Sequence, residues 1–197
     1  MGSPAANPQN ERLKNAIIYF IQHDKKTVKL TKLMKLLYYL DFKHYRACGR
    51  SVTGQIYQAW PMGPVPVDVY SEIRHNEPRG CDVSSILNAI KVSDSIDAFG
   101  FELHLKKNTF DDYYFTPREK KIISEVSEIF KGTPAHIIIE ATHEKGQPWD
   151  ATVKMVGQKA EIPYALALDG LPQDIIEEFE EERLDREALD KFFAEPS

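Results

Sequence analysis

Leu13, Ala16, Ile17, Phe20 and Ile21 fall at i, i+3, i+4, i+7 and i+8, a spacing that lines one face of a helix with apolar side chains. Asn10 stands where a capping side chain belongs. A second helix is predicted over Leu30 to Cys48, with Leu30, Leu33, Leu37, Leu40 and His44 on one side and Gly49 as its left-handed stop. The period then changes. Val52, Thr53, Ile56 and Tyr57 around Gly54 read as a short extended segment within residues 51–60. In Trp60-Pro61-Met62-Gly63-Pro64-Val65-Pro66, three prolines fix φ and remove amide donors, which predicts a rigid loop lying outside any sheet. Pro66 suits the first turn of a helix running through Val69, Tyr70 and Ile73.

Residues 78–98 are less patterned, with a short helix expected over Ser85 to Lys91. Phe99, Phe101, Leu103 and Leu105 alternate with polar residues, as in a half-buried strand. Lys107 and Asn108 offer a turn, and Phe110 to Phe115 reads as a second strand, giving a hairpin packed on helices. Thr116-Pro117-Arg118-Glu119 combines a capping box with proline at the first helical position. It opens a helix whose buried face is Ile122, Val126, Ile129 and Phe130. Gly132 stops that helix, Thr133-Pro134 starts another through Ile138, Ile139 and Thr142, and Gly146, Pro148 and Trp149 close it. Pro172 to Phe193 reads as helical, with Ile175, Ile176 and Phe179 near one end, Leu189, Phe192 and Phe193 near the other, and a charged middle. Such a segment is an arm, a docked tail, or a stretch that orders on binding. The expected fold class is α+β, mainly α: a compact helical domain with a small β-hairpin or short sheet and an acidic C-terminal helical extension. The divisions are a flexible lead-in over 1–10, the domain over 11–159 and the extension over 160–197.

Composition agrees with a globular chain: 42% of the 197 residues are hydrophobic and 28% charged. Cys48 and Cys81 lack metal-ligand spacing and are read as reduced thiols. No apolar run reaches the roughly 20 residues of a membrane helix and the first residues have no signal-peptide core, so a cytoplasmic protein is expected. Charge is unevenly spread, at +7 over residues 1–60, −3 over 61–160 and −9 over 161–197. The basic head concentrates on the second helix, where Lys32, Lys35, Tyr39, Lys43 and Arg46 share a narrow stripe. That stripe is either a contact for phosphate or an acidic protein, or an ordinary solvated face.

Catalytic and metal-binding patterns are scarce. The six histidines, His23, His44, His75, His104, His136 and His143, lack zinc-site spacing, and no phosphate loop, dinucleotide fingerprint or nucleophile elbow is present. No cofactor and no metal site is expected. His44 with Asp41 is a hydrogen-bonded core histidine or an acid–base couple. His44 with Cys48 forms a thiol–imidazole pair, though at a helix C-terminus whose dipole disfavours the thiolate. A DNA- or RNA-binding regulator using the basic helix 30–48 is the alternative class, although the acidic chain lacks the basic domain pI of such proteins.

Two blocks resemble a known family. The first is Lys32-Leu33-Met34-Lys35-Leu36-Leu37-Tyr38-Tyr39-Leu40-Asp41-Phe42, then His44-Tyr45, Gly49-Arg50-Ser51, Thr53-Gly54, Ala59 to Pro66 and Val69-Tyr70. The second is Ala141-Thr142-His143 followed by Pro148-Trp149. Together they are similar to the Panacea domain of SocA-like and GepA-like antitoxins over about Leu13 to Asp150. The resemblance implies a small, mainly helical, non-enzymatic protein. It would bind and neutralise a cognate toxin, usually encoded by the adjacent gene, by direct occlusion or as a proteolytic adaptor delivering the toxin to the ClpXP protease. The acidic segment after Lys159 inherits nothing from it. A rigid proline loop with neighbouring aromatics would supply preorganised anchors, unless Trp60 and Trp149 are core residues that merely fix the loop. The candidate partner contacts are Lys35, Tyr39, Lys43, Tyr57, Trp60, Pro61, Gly63, Pro64, Val65, Tyr70, His143 and Trp149.

Overall fold

The computed structural model describes residues 7–75, 86–94, 100–106 and 110–194. The expected lead-in through residue 6, Cys81, most of the 78–98 stretch, Phe99, the Lys107–Asn108 turn and the Phe193 side chain lie outside the described residues. Helix α1 (Pro8–His23) is capped by Asn7, not Asn10: the Asn7 side chain accepts from the Gln9 amide at 2.9 Å, and Pro8 follows at the first helical position. Strand β1 (Val28–Lys29) feeds α2 (Leu30–Cys48), which Gly49 ends at φ 63° with its amide donating to the Tyr45 carbonyl at 2.7 Å. Then come β2 (Tyr57–Trp60), β3 (Gly63–Pro66), α3 (Val67–His75), α4 (Ile86–Ala89), β4 (Ile90–Ser93) and β5 (Glu102–Leu105). Helices α5 (Pro117–Phe130), α6 (Ala135–Thr142), α7 (Pro148–Met155) and α8 (Gln173–Ala194) complete the chain. The fold is α+β and mainly α. No helix among the described residues is long and apolar enough to cross a membrane.

Helix α2 is the hub. Leu33, Leu37 and Leu40 are buried as the pattern predicts, but so are Lys35, Tyr38, Asp41 and Phe42 on its other sides. Over Leu33–Phe42 the helix is enclosed nearly all round, as in the middle of a domain, and α1, α5, α6, β3 and the 3-10 turn Tyr164–Leu168 all pack on it. The capping box opening α5 forms in full. Thr116 Oγ1 accepts from the Glu119 amide at 3.3 Å, and the Glu119 carboxylate accepts from the Thr116 amide at 2.6 Å. Ile122 and Val126 are buried on α5 as expected, whereas Ile129 is 62% exposed. Pro148 and Trp149 do not close the preceding helix: Pro148 opens α7.

The sheets differ from the expected hairpin. β5 pairs antiparallel with β1 on one side and β4 on the other, in the order β1-β5-β4. With both edges of β5 taken, Phe110–Phe115 has no strand to join. It forms a 3-10 turn at Asp112–Tyr114, capped by the Asp111 side chain accepting from the Tyr113 amide at 3.0 Å. The proline-rich run, in turn, does enter a sheet: β2 and β3 form a hairpin with Tyr57 opposite Pro66 and Ala59 opposite Pro64. The prolines are tolerated because of the register. The Ala59 amide and carbonyl and the Tyr57 carbonyl point away from β3, toward residues 159–162, so Pro64 and Pro66 occupy positions whose amides owe the ladder nothing.

The bonds on that outer side join the start of the acidic extension to the domain. The Lys159 amide donates to the Ala59 carbonyl at 2.8 Å, Ala59 to Ala160 at 2.9 Å and Ile162 to Tyr57 at 2.8 Å. Ile162, Ala167 and Leu168 are buried. The boundary drawn at residue 159 therefore falls inside a strand-like segment hydrogen-bonded to β2, and the part that stands apart begins with α8. Its first turns touch the domain, with Phe179 so close to Gly49 that a Cβ there would lie 2.7 Å from Phe179 Cβ.

Candidate functional site

The β2–β3 hairpin, the middle of α2 and the junction of α6 with α7 converge on one cluster. Lys35 Nζ donates to the Pro64 carbonyl at 2.9 Å. Gly63 permits this approach: its φ is 91°, and an added Cβ would lie 2.6 Å from Thr142 Oγ1 and 3.0 Å from Lys35 Cε. Trp149 Nε1 donates to the Trp60 carbonyl at 3.0 Å, and His143 stacks on the Trp149 ring at 3.9 Å. On the outer side, Trp60 meets Tyr70 edge-on at 5.1 Å. Between the hairpin, α3 and the start of α2 lies a cavity of about 570 Å³ whose wall includes Lys35, Trp60, Pro61, Val65 and Tyr70. Nine of the twelve predicted contacts thus gather here: Lys35, Trp60, Pro61, Gly63, Pro64, Val65, Tyr70, His143 and Trp149.

The two basic groups of the cluster are both shifted toward their neutral forms. Burial pushes the Lys35 amine down to about 7. The His143 imidazole is also held below its ordinary value, first by burial and then by the neighbouring Lys35. Its Nε2 is buried and has no hydrogen-bond partner among the described residues. What faces outward is mostly apolar: Pro61 and Met62 are exposed at the hairpin tip, and Trp60 and Tyr70 are half-buried.

The other three candidates lie elsewhere. Tyr57 is fully buried and donates to Asp41 Oδ2 at 2.7 Å, so it serves the core and cannot touch a partner. Tyr39 packs on Phe130 at 4.8 Å, and Lys43, although exposed, pairs with Glu125 at 2.8 Å. The expected basic stripe is not an open face. Lys32 is buried against Asp24 at 2.5 Å and the Phe130 carbonyl at 2.8 Å, and Arg46 donates to the carbonyls of Ala167 at 2.6 Å and Asp169 at 2.9 Å. With Lys35 buried as well, each cation that would have met phosphates through helix 30–48 already has a partner within the chain, Lys43 and Arg46 while still exposed. The sequence pattern could not show this, because later elements cover the side of α2 that looked solvated.

Asp41 is the polar centre of the core. Its carboxylate accepts from the amides of Val52 at 2.8 Å and Thr53 at 2.7 Å, from the Thr53 and Tyr57 hydroxyls, and from Tyr164 at 3.4 Å. Complete burial still holds its pKa above the usual carboxylate range, against the lowering effect of these donors. Its acceptor sites are therefore committed to residues other than His44, whose Nδ1 sits 2.6 Å from the Arg50 carbonyl, as in a hydrogen-bonded core histidine. Cys48 Sγ does lie 3.5 Å from His44 Nδ1. Burial pushes this thiol up, while His44 and Arg118 pull it further down, to about 7. Sequence reasoning missed Tyr164, which stacks between Phe42 and Tyr45, and Arg74, whose guanidinium lies 4.6 Å from the Phe101 ring at the cavity wall. No local spacing marks either residue, since each partner is far away in the chain.

A model of the SocA-like antitoxin family, built on its Panacea domain, matches residues 33–150. The chain belongs to this family. The matched span opens in α2 and closes in α7, so the Panacea domain here contains the whole hairpin cluster, Asp41 with its donors Val52, Thr53 and Tyr57, and all of the cavity wall except Leu30 and Thr31. It leaves outside α1, the 159–168 segment that pairs with β2, and α8. Membership gives the protein an antitoxin-type regulatory role, with a toxin as its general kind of partner. No curated protein and no solved structure matches the chain.

Proposed function

We propose that this antitoxin binds and neutralises a protein toxin through the face formed by the β2–β3 hairpin, α3 and the cavity between them, without turning over a substrate. The observation that carries this reading is the gathering of nine predicted contacts around one hairpin inside the Panacea domain. The hairpin suits a binding edge. Its prolines and its bonds to Lys35 leave little backbone entropy to lose, and its outward side chains are large, apolar and half-exposed. The cavity behind it, about 570 Å³, is large enough to accept an anchoring side chain of the toxin. The toxin is the product of the adjacent gene, and the encounter takes place in the cytoplasm.

Co-expression with the neighbouring gene tests the reading. A toxic neighbour relieved by this chain supports it; a harmless neighbour, or toxicity that this chain leaves unchanged, overturns it. Toxin half-life separates the two routes. Occlusion leaves the half-life unchanged or longer, whereas delivery to ClpXP shortens it only when antitoxin and protease are both present.

A further inference from the structure

Two basic residues share the wall of the cavity behind the hairpin, and neither is paired with an acid among the described residues. Arg74, near the end of α3, is exposed and lays its guanidinium over the Phe101 ring at 4.6 Å. Stacking occupies the face of that group and leaves its edge of N–H donors open, the geometry that grips a carboxylate through two parallel bonds. Lys35 reaches the same wall from α2. It is 1% exposed, and its Nζ has one acceptor, the Pro64 carbonyl at 2.9 Å. Buried lysines ordinarily have a carboxylate against them, as Lys32 has Asp24 one turn earlier on the same helix.

Asp94, just past β4, is the acid on the wall, and it lies within ion-pair distance of neither cation. Most of the remaining wall is apolar or aromatic, including Met34, Val65 and Phe101. The Trp60 indole N–H is already given to Gln58 Oε1 at 3.0 Å, so that ring offers the cavity surface and no donor. A partner closing over the cavity removes water from Arg74. An uncharged anchor would leave that charge buried without a counter-ion, which is costly, whereas an acidic anchor replaces the lost water with charge-assisted bonds.

We propose that the toxin segment entering this cavity carries a carboxylate on an apolar stem, a glutamate side chain or the toxin's C-terminus, with Arg74 as its hydrogen-bonding partner and Lys35 as a second cation. This rests on the antitoxin reading and adds to it the chemistry of the anchor. Binding is then linked to protons. Burial holds the Lys35 amine at about 7 in the free chain, so at pH 8 it is mostly neutral, and a carboxylate in the cavity draws a proton onto it. The other groups around Lys35 are His143 at the end of α6, Tyr70 and Arg74 on α3, and Asp94. Of these His143, held below its ordinary value, is neutral at pH 8 and does not mimic the effect.

Titration calorimetry of the full chain with the purified adjacent-gene toxin, at pH 6 and pH 8 in buffers of different ionisation enthalpy, reads affinity and protons together. The complex is expected to take up roughly one proton at pH 8 and much less at pH 6. Arg74→Gln, at an exposed position, should weaken binding about tenfold with unchanged thermal stability. Lys35→Met should abolish the uptake. A toxin extended by Gly-Gly at its C-terminus loses affinity if the terminal carboxylate is the anchor and keeps it if a glutamate is. Binding that takes up no proton at pH 8, or that Arg74→Gln leaves unchanged, overturns this inference while the antitoxin reading stands; a toxin that does not bind at all overturns both.

Discussion

Lys35 and Asp41 sit two turns apart on α2 with opposite linkage to pH. Burial lowers the Lys35 amine from its ordinary 10.5 to about 7, so the folded chain favours the neutral amine. The stability this contributes is full above the unfolded pKa and is lost as pH falls toward 7. Relative to Lys35→Met, the wild type should therefore gain up to roughly 1.4 kcal/mol per pH unit between pH 7 and 10, measured by urea denaturation of both proteins. A constant difference across that range would contradict the burial argument. Asp41 has a raised pKa, so its linkage favours the fold below the unfolded carboxyl pKa and fades as pH rises through the folded one. Its larger contribution is as an acceptor for amides and hydroxyls that have no water to turn to. Asp41→Asn replaces one acceptor oxygen with a donor and should cost roughly 3 kcal/mol in a denaturant titration.

At the scale of elements, two glycines fix how pieces meet. Gly63 lets the hairpin close on Lys35 and Thr142 at a positive φ that other residues resist. Gly63→Ala should destabilise the protein by roughly 2 kcal/mol and raise the exposure of Trp60, read as a red shift in tryptophan emission. Gly49 does two things at once, ending α2 at φ 63° and making room for Phe179. Gly49→Ala should displace the root of α8 while leaving the domain folded, so limited proteolysis should cut within 173–194 faster than in wild type. The α2 boundaries, its glycine stop and the capping box of α5 were legible beforehand, because each depends on residues within a turn of one another. The strand partners were not. Whether Phe110–Phe115 pairs with β5 depends on β1 and β4 having already taken both edges, and that competition is invisible in any local window.

For the whole molecule, the hairpin face and the α2 surface make separable contributions. Trp60→Ala with Tyr70→Ala should weaken toxin binding by about tenfold or more, because truncating half-exposed aromatics at an interface centre removes anchoring area. Lys43→Glu should change it by less than about threefold, since that lysine already spends its charge on Glu125 away from the hairpin. Titration calorimetry of the purified toxin with each variant checks both. Equal losses for the two variants would move the contact face from the hairpin to α2.

The sequence alone determined the mainly helical α+β class, the start and stop of the central helix and the family. These rest on periodicity, capping and a motif order, all written in neighbouring residues. Tertiary structure decided which polar residues were available. It buried Lys32, Lys35 and Tyr57, bound Arg46 to distant carbonyls, and drew residues 159–168 onto the domain beside β2. The physical reason is that a side chain's environment is set by elements far along the chain that cover it. The first half of the basic face of α2, Lys32 and Lys35, became interior once those elements closed over it, and the exposed Lys43 and Arg46 were left bound to Glu125 and to backbone carbonyls.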